Sequence, residues 1–326
     1  MINLDDEEAV GRIFAEQIEP RLYELNEQRE AALQESRDRW KKSLVLGIVP
    51  AAFLSFAIAF YLFKLGMMWA VSVCIVTIVI GTVCARHYAN QSSTAYESEL
   101  RERFMTQVCT VLGDLRYSRV GTSFDIRKFK EYKVIPGYQT AELEDLLEGT
   151  HNGHAFSIVE AKLTKTTTSH DDESSHTDTE TVFEGLLLKL SSPLRSTGRI
   201  LIAKDRGKII NKLSGIVRRG KRVEIPNAEF EEMYEVTADN PDETLSLLTP
   251  SVVALFVRLP EILDARHLSI GIEGNDILIS ASDTKPFIEG FSVQLDTLHY
   301  RHLFEDVVRE CKIAANIIDR LAESSR

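Results

Sequence analysis

The sequence has few cysteines, few glycines and prolines, and no excess of positive charge. Four cysteines in 326 residues exclude a small disulfide-rich secreted scaffold. The 17 glycines and 9 prolines are too few for a collagen-like or low-complexity chain. The net charge is −11, whereas a general nucleic-acid binder carries a positive field. We therefore expect a folded protein without a nucleic-acid partner.

Charge is missing altogether from two neighbouring segments. No charged residue occurs from Leu44 to Phe63 or from Leu65 to Ala85, and Lys64 alone separates the two runs. A helix of about 20 apolar residues spans a hydrocarbon core roughly 30 Å thick. We therefore predict a transmembrane helical hairpin over residues 43–86. The alternative is a buried helical hairpin of a soluble protein. A signal peptide would begin closer to the amino terminus.

Basic residues flank the predicted hairpin on one side of the membrane. Arg37, Arg39, Lys41 and Lys42 precede the first run, and Arg86 follows the second. Because positive residues collect on the cytoplasmic side, we expect both termini of the chain in the cytoplasm. The compartment is then reducing, so we expect no disulfide.

Helices are predicted on both sides of the hairpin. Residues 1–42 are expected to form cytosolic helices, because 21–42 contain strong helix formers and neither Gly nor Pro. Residues 87–120 are expected to form a juxtamembrane helix. Its apolar stripe repeats every three or four residues through Tyr96, Leu100, Phe104, Val108, Val111 and Leu115. We expect an antiparallel helical stalk, with a dimerising coiled coil as the alternative.

Residues 121–326 are predicted to form a cytosolic α+β domain with a mostly antiparallel sheet and a long carboxyl-terminal helix. Asn152-Gly153 and Gly274-Asn275 favour two hairpin turns, the second between strands at 268–273 and 276–281. Further strands are predicted at 155–163, 182–190, 199–203, 222–225 and 230–236. Helices are predicted at 251–263, where Pro260 should end or bend the helix, and at 296–323.

Two short motifs carry a family resemblance. Phe183-Glu184-Gly185 lies in a predicted strand, and Leu247-Leu248-Thr249-Pro250 precedes a predicted helix. With the two apolar runs, these motifs resemble an uncharacterised bacterial family of two-span membrane proteins, domain of unknown function 3137, over roughly residues 40–320. The resemblance implies a multi-pass protein of the bacterial inner membrane and a membrane-protein partner. It implies no established activity.

Two motifs share some features with ligand-binding sites. The polar tract from Thr164 to Thr181 contains His170 and His176 with carboxylates between them, which are possible zinc ligands. The alternative is a solvated, disordered hairpin tip. Residues 215–222 nearly match a phosphate-binding loop, but Arg222 replaces the required hydroxyl and a strand is predicted to follow. We expect no metal and no cofactor.

Basic residues concentrate in one segment of this acidic chain. Asp205 is the only acidic residue among them. The basic residues are Arg199, Lys204, Arg206, Lys208, Lys212, Arg218, Arg219, Lys221 and Arg222. Each basic residue near an anionic leaflet contributes about 1 kcal/mol of attraction. These residues are therefore candidates for contact with anionic lipid headgroups or an acidic partner. The alternative is a solvated face whose charges pair within the domain.

Catalytic motifs are not found in the sequence. It has no nucleophile elbow, no H-E-x-x-H and no paired CxxC motif, so we assign no catalytic residue. We expect a membrane-anchored, non-enzymatic binding or scaffold protein that engages the lipid bilayer, a protein partner or a second copy. The alternative is a membrane-tethered enzyme whose site is assembled from residues distant in sequence.

Overall fold

A computed structural model describes residues 7–20, 100–171, 174–204, 220–284 and 297–324, with isolated positions between residues 30 and 98. The predicted membrane hairpin lies outside these residues, apart from Val79. Among the described residues no single helix is long and apolar enough to cross a membrane, and one bent helix pair meets that criterion, Pro241–Leu247 with Pro250–Ile262. The chain divides into two compact units, one of residues 12–105 and 290–300 and one of the remaining residues.

Before residue 113 the chain is helical wherever it is described. Helix α1 (Glu7–Ile13) continues into a π-helical turn (Phe14–Ile18), and Val10, Phe14 and Ile18 are buried at helical spacing. The described positions between 30 and 42 are helical, as predicted. Helix α2 spans residues 100–112 and buries Leu100, Phe104 and Val108 of the predicted stripe, whereas Val111 is half-buried.

The predicted juxtamembrane helix ends earlier than expected. Gly113 adopts a φ of 124°, and its N–H donates to the carbonyl of Cys109 at 3.2 Å. A glycine in this conformation commonly terminates a helix. Leu115, predicted as the last residue of the apolar stripe, instead begins the first strand.

In the part of the chain that the structure describes, seven strands form one sheet with antiparallel pairings, which confirms the predicted α+β class and the antiparallel sheet. Their order is β1-β2-β3-β4-β6-β5, and β7 also pairs with β4. The strands are β1 (Leu115–Val120), β2 (Thr140–His151), β3 (His154–Asp171), β4 (Ser174–Ala203), β5 (Lys221–Val223), β6 (Glu235–Ala238) and β7 (His267–Ser282).

The helices of this part of the chain are mostly short. They are α3 (Ile126–Glu131), α4 (Ala228–Met233), α5 (Pro241–Leu247), α6 (Pro250–Ile262) and α7 (Thr297–Ser324). The last of these confirms the predicted carboxyl-terminal helix, and α6 confirms the helix predicted at 251–263.

The first predicted hairpin turn is confirmed. Asn152 and Gly153 join β2 to β3 with φ values of 48° and 80°. A two-residue hairpin turn that matches the twist of its strands requires positive φ at both positions, and Asn-Gly satisfies this requirement at little cost.

The second predicted hairpin is wrong, because β7 runs straight through Gly274-Asn275 as a single strand. It pairs with β4 from Ser282 to Ser269. Between Ser191 and Ile200, β4 carries five more residues than the facing part of β7, so the pairing shifts there. Gly274 has a φ of 60° opposite this irregular stretch. The glycine therefore accommodates a β-bulge where the sequence suggested a turn.

Two further predicted strands are also corrected. The strand predicted at 199–203 is the end of β4, continuous with the strand predicted at 182–190. Residues 228–233 form a helix where 230–236 was predicted to be extended. The Asn227 side chain accepts a hydrogen bond from the Phe230 N–H at 2.9 Å. This cap favours helix α4, and strand β6 begins only at Glu235.

Both faces of the sheet are buried. On one face, Val159, Leu187 and Leu278 pack beneath a segment at residues 121–139 that includes α3. The Ser280 hydroxyl of β7 donates to the carbonyl of Val134 at 2.8 Å on this face. On the other face, residues such as Ile279 are fully buried, and α6 packs against β7. The sheet is therefore the middle layer of the domain.

Candidate functional site

The basic residues between Arg199 and Arg222, predicted to contact anionic lipid or an acidic partner, fall into three groups. Arg199 lies near the end of β4, where its side chain contacts neighbouring elements. Lys204 directly follows β4, and Lys221 and Arg222 lie in β5, all three exposed. Arg206, Lys208, Lys212, Arg218 and Arg219 lie outside the described residues. The pairings of Ala203 with Glu235 and of Lys221 with Ala238 place Lys204 and Lys221 at opposite ends of β6.

Arg199 is held by contacts within its own domain. Its guanidinium carbon lies 4.7 Å from the centroid of the Tyr132 ring, a cation–π arrangement. Nη1 donates to the carbonyl of Glu131 at 3.1 Å, and Nη2 lies 3.5 Å from a carboxylate oxygen of Glu273. These contacts join β4, β7 and the end of α3. The charge of Arg199 is therefore paired within its own domain.

A second ion pair lies beside this network. Lys128 of α3 donates to Asp276 of β7 at 2.7 Å, and this hydrogen bond raises the pKa of the lysine. Burial, reinforced by the negative charge of Glu273, raises the pKa of Tyr132 to about 12. Tyr132 therefore remains protonated near neutral pH. Together the two pairs fasten α3 over the part of β7 that faces the irregular stretch of β4, which is a structural role.

Arg222 is partly engaged, whereas the lysines at both ends of the segment are exposed. One guanidinium nitrogen of Arg222 lies 3.6 Å from Glu231 of α4, and more than half of the arginine side chain is exposed. The Glu231 side chain is only 25% exposed and also accepts the N–H of Ile225 at 2.8 Å, so this ion pair is partly buried on the glutamate side. Together with Lys204 and Lys221, Arg222 provides positive charge at the β5–β6 edge of the sheet.

The polar tract between Thr164 and Thr181 differs from the expected disordered tip. Strand β3 continues to Asp171, and β4 begins at Ser174, so the tract is largely a two-stranded ribbon. Its many threonines are β-branched and favour extended backbone. The register pairs His176 with Ser169 and His170 with Ser175, so the two histidines are not register partners of each other. Within the described part of the chain, no group of three or more His, Cys, Asp and Glu residues is arranged to hold a metal.

One histidine, at the end of β2 beside the first hairpin turn, is largely buried. The Nε2 atom of His151 lies 2.9 Å from both carboxylate oxygens of Asp319 in α7, and the side chain is 15% exposed. Asn152 donates to the same carboxylate at 2.8 Å. The β2–β3 turn is thereby tied to the carboxyl-terminal helix. The sequence did not predict this contact, because its partners are far apart along the chain.

A buried carboxylate lies at the irregular pairing of β2. Asp145 is 1% exposed and has a φ of 55°, where the register between β2 and β3 shifts. The Tyr117 hydroxyl of β1 donates to it at 2.5 Å. A hydrogen bond to a buried carboxylate offsets part of its desolvation. This pair links β1 to the bulge of β2.

The two described cysteines are free and buried. Burial raises the pKa of the Cys109 thiol to about 12, and burial also raises the pKa of Cys311. A reactive cysteine requires an accessible thiolate at neutral pH. These two thiols are therefore packing groups of α2 and α7.

Comparison with known proteins finds a family match over part of the chain. Residues 181–323 match the family described as a protein of unknown function, DUF3137. The matched segment includes both motifs on which the resemblance was based, so the resemblance is confirmed for this part of the chain. No curated protein matches. A crystal structure of the mycobacterial trehalose monomycolate transport factor A, TtfA, is similar at 12% identity, covering 63% of this chain and 92% of that chain, with a TM-score of 0.31. A TM-score this low supports no argument about the present chain.

Proposed function

We propose that this chain, whose residues 181–323 carry the DUF3137 family match, is a membrane-anchored, non-enzymatic binding or scaffold protein of the bacterial inner membrane. The observation that carries the proposal is the pair of uncharged runs at 44–63 and 65–85. Each is long enough to cross a bilayer. Together they anchor a domain whose basic segment engages an anionic lipid surface or an acidic protein.

The charge distribution supports the binding role. The chain is acidic overall, yet the stretch from Lys204 to Arg222 is strongly basic. Lys204, Lys221 and Arg222 are exposed at its two ends, and Arg222 pairs with the partly buried Glu231. Arg199, by contrast, is occupied by Tyr132 and Glu273. The binding surface that we propose therefore begins at Lys204 and does not include Arg199.

Membrane integration is tested by fractionating cells that express the full chain. The protein should sediment with membranes, resist carbonate extraction and dissolve in detergent. Replacing Phe56 and Ile75 with arginine should release a large share of the chain, because each central arginine costs about 2.5–3.5 kcal/mol of insertion free energy. The matched variant Phe56→Leu/Ile75→Leu should remain integrated. An intact chain that stays in the supernatant without detergent would contradict the anchor.

Lipid contact is tested with the full chain in vesicles of phosphatidylcholine alone or with phosphatidylglycerol. Amide hydrogen exchange of residues 205–219 should slow in the anionic vesicles, because basic residues are attracted to the negative surface. The variant Lys208→Gln/Lys212→Gln should lose much of this protection. Arg258→Gln/Arg266→Gln, a change at two exposed arginines elsewhere, should keep it. Equal exchange in both vesicle types would sink the lipid contact.

A further inference from the structure

One edge of the sheet is formed by strand β1. Among the strands that the structure describes, β1 pairs with β2 alone, and this pairing keeps one register from Leu115 to Val120 without a bulge. Natural sheets protect their edges with very short strands, bulges, proline or charged side chains. The opposite edge follows this rule, because β5 has three residues. Strand β1 has six residues, contains no proline and carries two arginines.

Every second residue of β1 directs its backbone away from β2. Directly after the strand, the Gly121 N–H donates to the carbonyl of Leu143 at 3.0 Å. Because hydrogen-bonded residues alternate along an antiparallel strand, the N–H and C=O groups of Arg116, Ser118 and Val120 point outward. The Ser118 hydroxyl donates to the carbonyl of Val120 at 2.9 Å, and that carbonyl can accept a second hydrogen bond. These backbone groups can therefore pair with an added strand.

The side chains of β1 alternate between an exposed and a more buried face. Arg116, Ser118 and Val120 are exposed, whereas Tyr117 and Arg119 on the other face are half-buried. Val120 is 58% exposed although its side chain is apolar. A strand that adds to this edge and covers Val120 gains hydrophobic burial.

We propose that β1 pairs in antiparallel orientation with β1 of a second copy, around a two-fold axis at Ser118. In this register Ser118 faces Ser118 of the second copy, and Arg116 faces Val120. On the other face of the sheet, Tyr117 faces Arg119. Each outward-pointing pair exchanges two backbone hydrogen bonds. The same residues contribute on both copies, so the contact closes as a dimer.

The side chains of β1 complement one another in this register. The aliphatic part of Arg116 covers the exposed Val120, and its charge extends toward Glu144, the residue that pairs with Val120 in β2. Arg119 lies beside the Tyr117 ring, to which a guanidinium is attracted. A shift by two residues toward the end of the strand would set Arg119 opposite its own copy, and like charges directly opposite are destabilising. The two arginines therefore select this register.

The dimer goes beyond the proposed function, because it depends neither on the basic segment nor on the membrane anchor. A second copy is the occupant that the edge favours, since the charged, aromatic and apolar side chains of β1 each find a suitable neighbour in β1 itself. A strand from a different protein is the alternative occupant, and a wild-type chain that stays monomeric would favour it.

The two-fold axis is tested by cross-linking the full-length chain in a neutral detergent. A Cys74→Ala/Cys84→Ala background leaves Cys109 and Cys311, which are both buried. In this background Ser118→Cys should form a disulfide-linked dimer on mild oxidation with copper phenanthroline. The Cα atoms of directly opposite hydrogen-bonded residues lie about 5.5 Å apart, which a disulfide can span.

A second cysteine position in the same strand tests the register. Arg116→Cys alone should cross-link poorly, because the two copies of this residue lie about 13 Å apart along the strands at ~3.3 Å per residue. Mixed with a Val120→Cys chain before oxidation, it should form the dimer that pairs the two variants.

Charge at Val120 provides an independent measurement by sedimentation. Val120→Glu places a carboxylate opposite Arg116 of the second copy, whereas Val120→Lys places a like charge there. The glutamate variant should self-associate about tenfold more tightly than the lysine variant. Within one chain the neighbouring Glu144 favours the lysine instead, so an effect on folding alone has the opposite sign.

Four results would each overturn the proposal. These are a monomeric wild-type chain, a Ser118→Cys chain that gives no cross-linked dimer, an Arg116→Cys chain that cross-links equally well alone, and equal association of the two Val120 variants. The anchor and the lipid contact are measured by fractionation and hydrogen exchange. They therefore stand or fall separately from the dimer.

Discussion

Pro260 lies inside helix α6, which continues to Ile262 although proline was predicted to end or bend it. A proline lacks the N–H that would bond to the carbonyl four residues earlier, which here belongs to Phe256. The Tyr234 hydroxyl donates to that carbonyl at 3.2 Å, and this hydrogen bond is buried. Burial raises the pKa of the tyrosine, so it remains a donor. A residue distant in sequence therefore satisfies the group that Pro260 leaves free.

This arrangement predicts a coupling between the two residues. Tyr234→Phe should lower the free energy of unfolding by about 1–3 kcal/mol, because a buried carbonyl loses its partner. In a Pro260→Ala background the restored N–H can serve Phe256, so the same tyrosine change should cost clearly less. Denaturant unfolding of the four chains measures both costs. Equal costs in the two backgrounds would show that the tyrosine and the proline act independently.

Gly185 of the Phe183-Glu184-Gly185 motif is required by a close approach of two strands. A Cβ atom at this position would lie 2.1 Å from the carbonyl oxygen of Ala281 in the paired strand β7, and the φ of Gly185 is 153°. Backbone atoms cannot yield as a flexible side chain can. The motif is therefore explained by the pairing of β4 with β7 at the point where that pairing begins.

Gly185→Ala should consequently destabilise the chain by about 1–3 kcal/mol or more, as overpacking does. Gly137→Ala is the matched control, because a Cβ there meets nothing within 4 Å. That control should change stability by less than about 1 kcal/mol. Thermal unfolding followed by circular dichroism measures both variants. A Gly185→Ala chain as stable as the control would contradict the close approach.

At the scale of elements, helix α7 carries a carboxylate in an unfavourable position. The Glu310 side chain is 12% exposed, and burial raises its pKa from 4.5 to about 7. Asp306 raises the pKa further, whereas Arg309, 3.8 Å away, lowers it. The folded chain therefore holds a proton on Glu310 at pH values where the unfolded chain has released it.

The sign of the pH dependence follows from this difference. Between pH 4.5 and about 7 the folded state binds more protons at this site, so the contribution of Glu310 to stability falls as the pH rises. The full penalty, on the order of 3 kcal/mol, is reached above pH 7. Glu310→Gln should raise stability at pH 8 and leave it nearly unchanged at pH 4.5.

The exposed residue Glu323 of the same helix provides the control. Glu323→Gln should leave the pH profile of the wild-type chain in place. Unfolding measured across pH for the three chains distinguishes them. If Glu310→Gln stabilises the chain equally at pH 4.5 and pH 8, the carboxylate does not titrate as its burial implies.

At the scale of the whole molecule, the proposed hairpin anchor predicts the orientation of both ends. Tags fused at residue 1 and at residue 326 should both resist an external protease in intact spheroplasts, because an even number of spans returns the chain to the cytoplasmic side. Both should be cleaved after lysis, which controls for access. Cleavage of either tag in intact spheroplasts would contradict the orientation inferred from the flanking basic residues.

Local patterns determined much of this molecule. The Asn152-Gly153 turn depends on the conformations that these two residues allow, the strand at 182–190 on a short, mostly apolar segment, and α7 on a helical period. Each of these features is encoded within a few neighbouring residues. The two uncharged runs at 44–63 and 65–85 are local in the same way, and they led directly to the proposed anchor.

The tertiary structure decided what depends on residues far apart. Gly274-Asn275 permits a turn or a bulge, and only the irregular stretch of β4 opposite it makes a bulge. Arg199 belongs to a basic run in sequence, but Tyr132 and Glu273 remove it from the proposed binding surface. A sequence shows which conformations and charges are available to each segment. The fold brings each segment next to the partner that selects one of these conformations. Pairing and burial energies act between segments that lie far apart along the chain.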